Sequence, residues 1–121
     1  MLIVDDNRDA ADTLGTLIGL WGHEARVAYD GAEALGAAGA FRPDCVFLDI
    51  NLPGVDGYDV ARRLRQDPDL RRAKLVALSA YSSGEHVRRV QEAGFDHHLV
   101  KPVDPDVLED LLARARQLTR C

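Results

Sequence analysis

The chain has 121 residues, 46% of them hydrophobic and 29% charged, which is the size and composition of one globular domain. Its net charge of −5 does not favour nonspecific binding to nucleic acid, and no apolar run approaches the roughly 20 residues of a membrane-spanning helix. Two cysteines without a CxxC motif suit a reducing compartment, so we predict a cytoplasmic domain that itself contacts neither DNA nor the membrane.

Apolar runs separated by capping and turn residues divide the first half of the chain into alternating strands and helices. Residues 44–50 (DCVFLDI) predict a buried strand, because the run is short, apolar and without alternation. In chain order, this half is predicted to contain a strand over 1–4, a helix from Asn7 or Asp9 to Gly22, a strand over 24–30, a helix over 31–40 and a strand over 44–50.

The second half continues the same alternation after a loop that contains Pro and Gly. It is predicted to contain that loop over 51–57, a helix over 58–66, a strand over 74–80, a helix over 83–94, a strand over 97–100 and a helix over 104–118. Asp104 is the predicted N-cap of the last helix, with Pro105 in its first turn. The predicted apolar face of that helix consists of Val107, Leu108, Leu111, Leu112 and Ala115.

Strands that alternate with helices at this spacing predict an α/β fold, in which helices cover both faces of a parallel sheet. The absence of a linker, repeat or low-complexity segment predicts one domain over residues 1–121. In such a doubly wound sheet, ligands bind beyond the carboxyl ends of the strands.

Polar residues stand where the predicted strands end. Asp5 and Asp6 follow the first strand, Asp49 ends the third, Ser79 lies at the end of the fourth, and Lys101 follows the fifth. Lys101 is one of only two lysines among 15 basic residues, which draws attention to a position where arginine is not used. If the strands are parallel, three carboxylates, a hydroxyl and an ammonium group meet at one edge of the sheet.

This set of side chains suits phosphoryl transfer to a carboxylate. Clustered carboxylates repel one another, and Mg²⁺, or Mn²⁺ in its place, relieves the repulsion as a hard cation with oxygen ligands. Asp49 lies centrally and can act as the nucleophile. Ser79 can donate a hydrogen bond to a phosphoryl oxygen, and Lys101 can place a compact charge on another, where a guanidinium fork is broader.

Each of these residues also has a simpler interpretation. Asp5 and Asp6 can serve as caps of the first helix, Ser79 can be an ordinary strand-end hydroxyl, and Lys101 can be a solvated strand end. Asp49 is harder to explain in this way, because an unpaired carboxylate at the end of a buried strand is costly.

Four segments together resemble the receiver domain of response regulators, the signalling proteins of two-component and phosphorelay systems. They are LIVDDN (Leu2–Asn7), VFLDINLPGVDGYDV (Val46–Val60), ALSAY (Ala77–Tyr81) and AGFDHHLVKPVD (Ala93–Asp104), and the match spans essentially the whole chain. The resemblance implies a flavodoxin-like fold with five helices and a five-stranded sheet in the order 2-1-3-4-5. This is a common strand order among doubly wound folds, and receiver domains are known examples of it.

The resemblance also implies a role for each residue of the acidic group. Asp49 matches the phosphoacceptor, and Asp5 and Asp6 match the acidic pair that positions Mg²⁺, with Asp6 as a direct ligand and Asp5 acting mainly through water. Asn51 matches the position that offers a backbone carbonyl to the metal. The implied phosphodonor is a histidine kinase or a histidine phosphotransfer protein, and the output partner is not implied.

Three further residues match positions that respond to the phosphoryl group. Ser79 matches the switch hydroxyl and Lys101 the phosphoryl-binding lysine, and the peptide before Pro102 matches one that is cis in the family. His98 departs from the family pattern, because receivers commonly have Tyr or Phe at this switch position. It is either a half-buried strand histidine or a switch residue with an ionisable ring, whereas His97, its strand neighbour, should point to the opposite face.

The leading hypothesis is therefore a phosphoacceptor switch that catalyses only its own phosphorylation and dephosphorylation. Its surface around the fourth helix, fifth strand and fifth helix would change partners on phosphorylation.

One alternative is an Mg²⁺-dependent phosphatase with Asp49 as a transient nucleophile. Such enzymes need a second carboxylate two residues later, where this chain has Asn51. Another alternative is an interaction module with a vestigial site. The segment HHLVKPVD is similar in style to receivers of hybrid sensor histidine kinases.

Overall fold

The computed structural model describes residues 1–43, 45–50, 57–68, 70, 73–79, 84–100 and 104–119, and within 84–87 and 114–119 only the helical backbone. Strands and helices alternate over these residues. In chain order they are β1 (Leu2–Val4), α1 (Arg8–Leu20), β2 (Arg26–Ala28), α2 (Gly31–Phe41), β3 (Cys45–Asp49), α3 (Gly57–Gln66), β4 (Lys74–Ser79), α4 (Gly84–Glu92), β5 (His97–Val100) and α5 (Pro105–Thr119).

The five strands form one parallel sheet in the order β2-β1-β3-β4-β5. Leu2 of β1 is paired with Arg26 of β2 on one side and with Val46 of β3 on the other, so β1 and β3 lie side by side inside the sheet. The predicted α/β fold and strand order are both confirmed. The carboxyl ends of β1 and β3 therefore lie side by side at one edge of the sheet.

Two apolar clusters cover the two faces of the sheet. On the α1/α5 face, Ile3 and Phe47 pack with buried side chains of α1 and α5, such as Ile18 and Leu108. On the α2/α3/α4 face, alternate strand residues such as Leu48 pack with side chains of those three helices. Successive residues of a strand point to opposite faces of the sheet. A strand whose residues are apolar on both faces is therefore buried between the two helix layers.

The ends of the helices show which capping predictions were correct. Asn7 caps α1, since its side chain accepts a hydrogen bond from the Ala10 N–H at 3.2 Å. Asp104 caps α5, since its carboxylate accepts from the Asp106 N–H at 2.9 Å. The prediction that Val107 lies on the apolar face of α5 is wrong, because its side chain is 50% exposed. Leu108, one residue later, is fully buried and carries the packing.

Arg65 ties three segments together at the edge of the sheet opposite to the carboxyl ends. Its guanidinium donates to the carbonyls of Gly94 and Ala73, each at 2.7 Å, and to the carboxylate of Asp96 at 2.7 Å. Asp96 in turn accepts a hydrogen bond from the Leu75 N–H at 2.9 Å. The end of α3 is thereby fixed to the start of β4 and to the turn before β5.

Among the helices in the described part of the chain, none is both long and apolar enough to cross a membrane.

Candidate functional site

Three carboxylates come together at the carboxyl edge of β1 and β3. Ile3 of β1 is paired with Phe47 of β3, and two residues further along each strand Asp5 and Asp49 continue these rows. Carboxylate oxygens of Asp5, Asp6 and Asp49 all lie within 4.8 Å of one another. Asp5 is 3% exposed and Asp49 is 4% exposed, whereas Asp6 is exposed to solvent. The structure thus brings together the acidic group that the sequence predicted.

The backbone around Asp5 fixes its position. Its N–H donates to the carbonyl of Ala28 at 3.1 Å, which extends the pairing of β1 with β2 beyond Val4. One oxygen of its carboxylate accepts from the Asn7 N–H at 3.0 Å. Because Asn7 is the cap of α1, the alternative in which Asp5 and Asp6 serve as the helix cap is wrong.

The donor set fits a hard divalent cation. Mg²⁺ binds oxygen ligands at about 2.0–2.1 Å, so two direct ligands lie at most about 4.2 Å apart. Separations of up to 4.8 Å need only a small side-chain rotation or a water molecule between carboxylate and metal. Two buried anions and one exposed anion can therefore hold such an ion at the mouth of the site.

Ser79 ends β4 at the same edge of the sheet. Leu78 is paired with Asp49, and the Leu78 carbonyl accepts from the Ile50 N–H at 3.3 Å, so β3 and β4 remain in register to their ends. Ser79 is fully buried. Ser79 therefore comes one residue after Leu78, the strand neighbour of Asp49. Its role as the switch hydroxyl remains a prediction.

The two histidines of β5 lie on opposite faces of the sheet, as predicted. His97 is paired with Val76 of the α1/α5 face, and His98 with Ala77 of the α2/α3/α4 face. The ring of His98 is half-buried and its Nε2 atom is inaccessible to solvent. By strand alternation His98 shares a face with Ser79, two positions back along the strand direction. This location suits either predicted role of His98.

Asn51, Lys101 and Pro102 lie outside the described residues. The backbone contact of Asn51 with a metal, the phosphoryl contact of Lys101 and the cis peptide before Pro102 therefore stay predictions.

A groove of about 640 Å³ opens beside the acidic cluster, and sequence reasoning missed it. Asp5 and Asn7 line its end at the cluster, Leu14 and Leu17 of α1 line one side, and Leu108 of α5 contributes to the other. Leu14 and Leu17 are apolar residues of α1, but both are only partly buried.

A second charged group flanks the same edge at β2. The phenol of Tyr29 donates to the carboxylate of Asp12 at 2.7 Å, and the guanidinium of Arg8 lies 4.2 Å from the centre of the Tyr29 ring. The hydrogen bond to Asp12 raises the pKa of Tyr29, with smaller contributions from desolvation and from the negative charge of Asp12. Arg8 and Asp12 of α1 are thus held against the end of β2.

Comparisons with known proteins agree with this geometry. The family model of the response regulator receiver domain matches residues 1–113. The transcriptional regulatory protein PrrA of Mycobacterium tuberculosis is 43% identical over 121 residues, which are 99% of this chain and 49% of PrrA. The chain therefore spans about half the length of the curated relatives that it matches.

Two solved structures show how similar the fold is. The chemotaxis protein CheY4 of Vibrio cholerae is 28% identical and has a TM-score of 0.89 over 94% of this chain and 95% of its own. The receiver domain of the sensor histidine kinase PA1611 of Pseudomonas aeruginosa is 28% identical and has a TM-score of 0.85 over 93% of each chain. That structure contains a magnesium ion coordinated in its active site cleft.

Proposed function

This chain belongs to the receiver domain family of response regulators, and we propose that it transmits a signal by accepting a phosphoryl group on Asp49. The donor is a phosphohistidine on a histidine kinase or a histidine phosphotransfer protein. An oxygen of the Asp49 carboxylate attacks the phosphorus, the P–N bond breaks, and its electron pair goes to the histidine nitrogen.

The burial of Asp49 beside Asp5 and Asp6 is the observation that supports this assignment. Asp49 is 4% exposed and its carboxylate lies within 4.8 Å of those of Asp5 and Asp6, so the three acidic groups converge where one shared cation would offset their negative charge. Asp5 and Asp6 would hold Mg²⁺, together with Asp49 and the backbone carbonyl of Asn51. When bound, the ion supplies positive charge that offsets the negative charge on the phosphoryl oxygens.

The residues of β4 and β5 would respond to the modified Asp49. The Ser79 hydroxyl donates a hydrogen bond to a phosphoryl oxygen, and the Lys101 ammonium pairs with another. His98 lies on the same face as Ser79 and would adjust its ring when that hydroxyl moves. Different contacts in the two states then shift the surface formed by α4, β5 and α5 between two sets of partners.

The proposed protein is a switch that turns over only its own phosphoryl group, over one domain that comprises residues 1–121. We place it in the cytoplasm, where receivers meet their kinases. The output depends on the protein as a whole: PrrA is a transcriptional regulatory protein, whereas the PA1611 receiver is part of a sensor histidine kinase. The groove between α1 and α5, which Asp5 and Asn7 line at one end, would offer a donor protein a surface beside the acidic cluster.

Acetyl phosphate, a small phosphodonor, tests the assignment without a kinase. We expect the wild-type protein to gain one phosphoryl group in Mg²⁺ and none in EDTA, as followed by intact mass. Asp49→Asn should gain none, while the control Asp59→Asn, which alters an exposed carboxylate of α3, should behave as wild type.

Two further measurements on the wild-type protein, Mg²⁺ binding and phosphate release, separate the alternatives. A folded wild-type protein that neither binds Mg²⁺ in calorimetry nor gains a phosphoryl group would indicate a vestigial site. Continuous release of phosphate from simple aryl phosphates would indicate a phosphatase instead of a switch.

A further inference from the structure

Helix α3 begins directly on the backbone of the strand that carries Asp49. The Gly57 N–H donates to the carbonyl of Ile50 at 3.3 Å. A Cβ atom on Gly57 would lie 2.4 Å from the Cα of Ile50 and 2.7 Å from the carbonyl oxygen of Asp49. Both neighbours are backbone atoms, so no side-chain rotation can make room for such a carbon.

Three other glycines in the described part of the chain lack this constraint. A Cβ on Gly36 or Gly39, both in α2, would meet nothing within 4 Å. A Cβ on Gly15 would meet the side chain of Val27, which can shift. The backbone contact at Gly57 is therefore a feature of this place in the fold and not of glycine in general.

Helix α3 has little freedom to retreat from the strand. Tyr58, Val60 and Ala61 follow Gly57 directly in the helix and are buried in the α2/α3/α4 face. An ordinary carbon contact of about 3.4–4 Å would require the two backbones to separate by about 1 Å. The carbonyl oxygen of Asp49 is one of the three backbone atoms in the way, so a shift of this backbone would include Asp49 itself.

We propose that Gly57 is a positioning residue for Asp49, since the missing side chain lets α3 seat on the end of β3 and so sets the place of the Asp49 carboxylate relative to Asp5 and Asp6. The catalytic part of this inference rests on the proposed function of Asp49. The structural part does not, because metal affinity reports the carboxylate geometry without any phosphoryl transfer.

Gly57→Ala should lower the affinity for Mg²⁺ and slow the phosphorylation of Asp49 by acetyl phosphate. A misplacement of about 1 Å at a reacting group costs on the order of 100-fold in rate. The variant is best made in a background that carries Gly36→Ala and Gly39→Ala, because alanine stabilises open helix positions and offsets a loss of stability.

Val60→Ala in the same background is the matched control. It removes buried apolar atoms from α3 and destabilises the fold, but its side chain is three residues further along the helix. Calorimetry with Mg²⁺ and the acetyl phosphate rate are measured at a temperature where circular dichroism shows all proteins folded. We expect both functions to fall in Gly57→Ala and to stay near the background values in Val60→Ala.

Two results would overturn the proposal: a folded Gly57→Ala protein with Mg²⁺ affinity and rate within twofold of the background, or an equal loss in Val60→Ala. A background protein that binds Mg²⁺ but is never phosphorylated would instead refute the function proposed for Asp49.

Amide hydrogen exchange of the wild-type protein tests the coupling even if Gly57→Ala does not fold. If the seat of α3 and the carboxylate geometry are coupled, saturation with Mg²⁺ should slow exchange of the Gly57 N–H, because coupling between sites is reciprocal. Exchange of that N–H at the same rate with and without Mg²⁺ would overturn the proposal.

Discussion

Asp49→Asn should make the metal-free protein more stable, although it removes the proposed phosphoacceptor. Two unit charges 4.8 Å apart repel by about 3.5 kcal/mol at an effective dielectric constant of ~20. Asparagine keeps the size and shape of aspartate but removes its charge. The substitution therefore relieves the repulsion of residue 49 with both Asp5 and Asp6.

The net gain is smaller than the sum of two such pair energies. Asp6 is exposed, so water and salt screen its interactions, and exposed charge pairs contribute only about 0–1 kcal/mol. The main repulsion that the substitution removes is therefore the one between the buried carboxylates of Asp5 and Asp49. The hydrogen bond from the Asn7 N–H already offsets part of the free-energy cost of burying the charge of Asp5. We expect the free energy of unfolding to rise by about 1–3 kcal/mol in EDTA.

Magnesium should narrow or reverse this difference in stability. A ligand present at 100 times its dissociation constant stabilises the folded state by about 2.7 kcal/mol. Wild type should gain that amount, whereas Asp49→Asn, with one anionic ligand fewer, should gain much less at the same Mg²⁺ concentration. The stabilities of the two proteins should then converge or cross.

Urea unfolding followed by circular dichroism, in EDTA and in Mg²⁺, measures both effects. Asp59→Asn is the control, because its ion pair with Arg62 is exposed and should contribute less than about 1 kcal/mol in either buffer. If Asp49→Asn were less stable than wild type in EDTA, or gained as much from Mg²⁺ as wild type does, the reasoning about a shared cation would be refuted.

Three further predictions concern other parts of the molecule. Arg65→Lys should lower the free energy of unfolding by about 2 kcal/mol in urea titrations, because one ammonium cannot replace the fork that joins Asp96 to two carbonyls; a change below about 0.5 kcal/mol would contradict this. Asp12→Asn should bring the pKa of Tyr29 back toward 10.0 in an ultraviolet titration, because the hydrogen bond to the Asp12 carboxylate is the main cause of the raised pKa. The raised pKa also means that this interaction stabilises the wild-type fold below pH 10.0 and that this stability is lost as the pH rises above it. An unchanged titration curve in Asp12→Asn would show that the hydrogen bond is not the cause. Lys101→Arg keeps the charge but should slow phosphorylation by acetyl phosphate, and a wild-type rate would refute the point-charge argument.

Local sequence signals were enough to predict the sheet and its acidic edge. Asp5 and Asp49 directly follow short apolar runs, so strand assignment in a parallel sheet predicted that they share one edge. The resemblance to receiver domains supplied the strand order that makes β1 and β3 neighbours. Asp104 was recognisable as a cap because Pro105 follows it. These features depend on neighbours in sequence, and a single chain displays them directly.

Features that depend on packing between distant segments were not predictable in the same way. Val107 has the right spacing for the apolar face of α5, but its side chain is half exposed while that of Leu108 is fully buried. Gly57 was predicted as the last residue of the loop over 51–57, and only the structure shows that it begins α3 against the backbone of Asp49 and Ile50. The groove between α1 and α5 likewise depends on how far apart two helices lie.

The most direct test of the central claim is to identify the residue that carries the phosphoryl group. Borohydride reduces an acyl phosphate on aspartate to homoserine, which peptide mass spectrometry locates. After treatment of the wild-type protein with acetyl phosphate in Mg²⁺, we predict homoserine at position 49 alone, and none after treatment in EDTA. Homoserine at position 5 or 6, or unmodified Asp49 in a folded protein that binds Mg²⁺, would contradict the account.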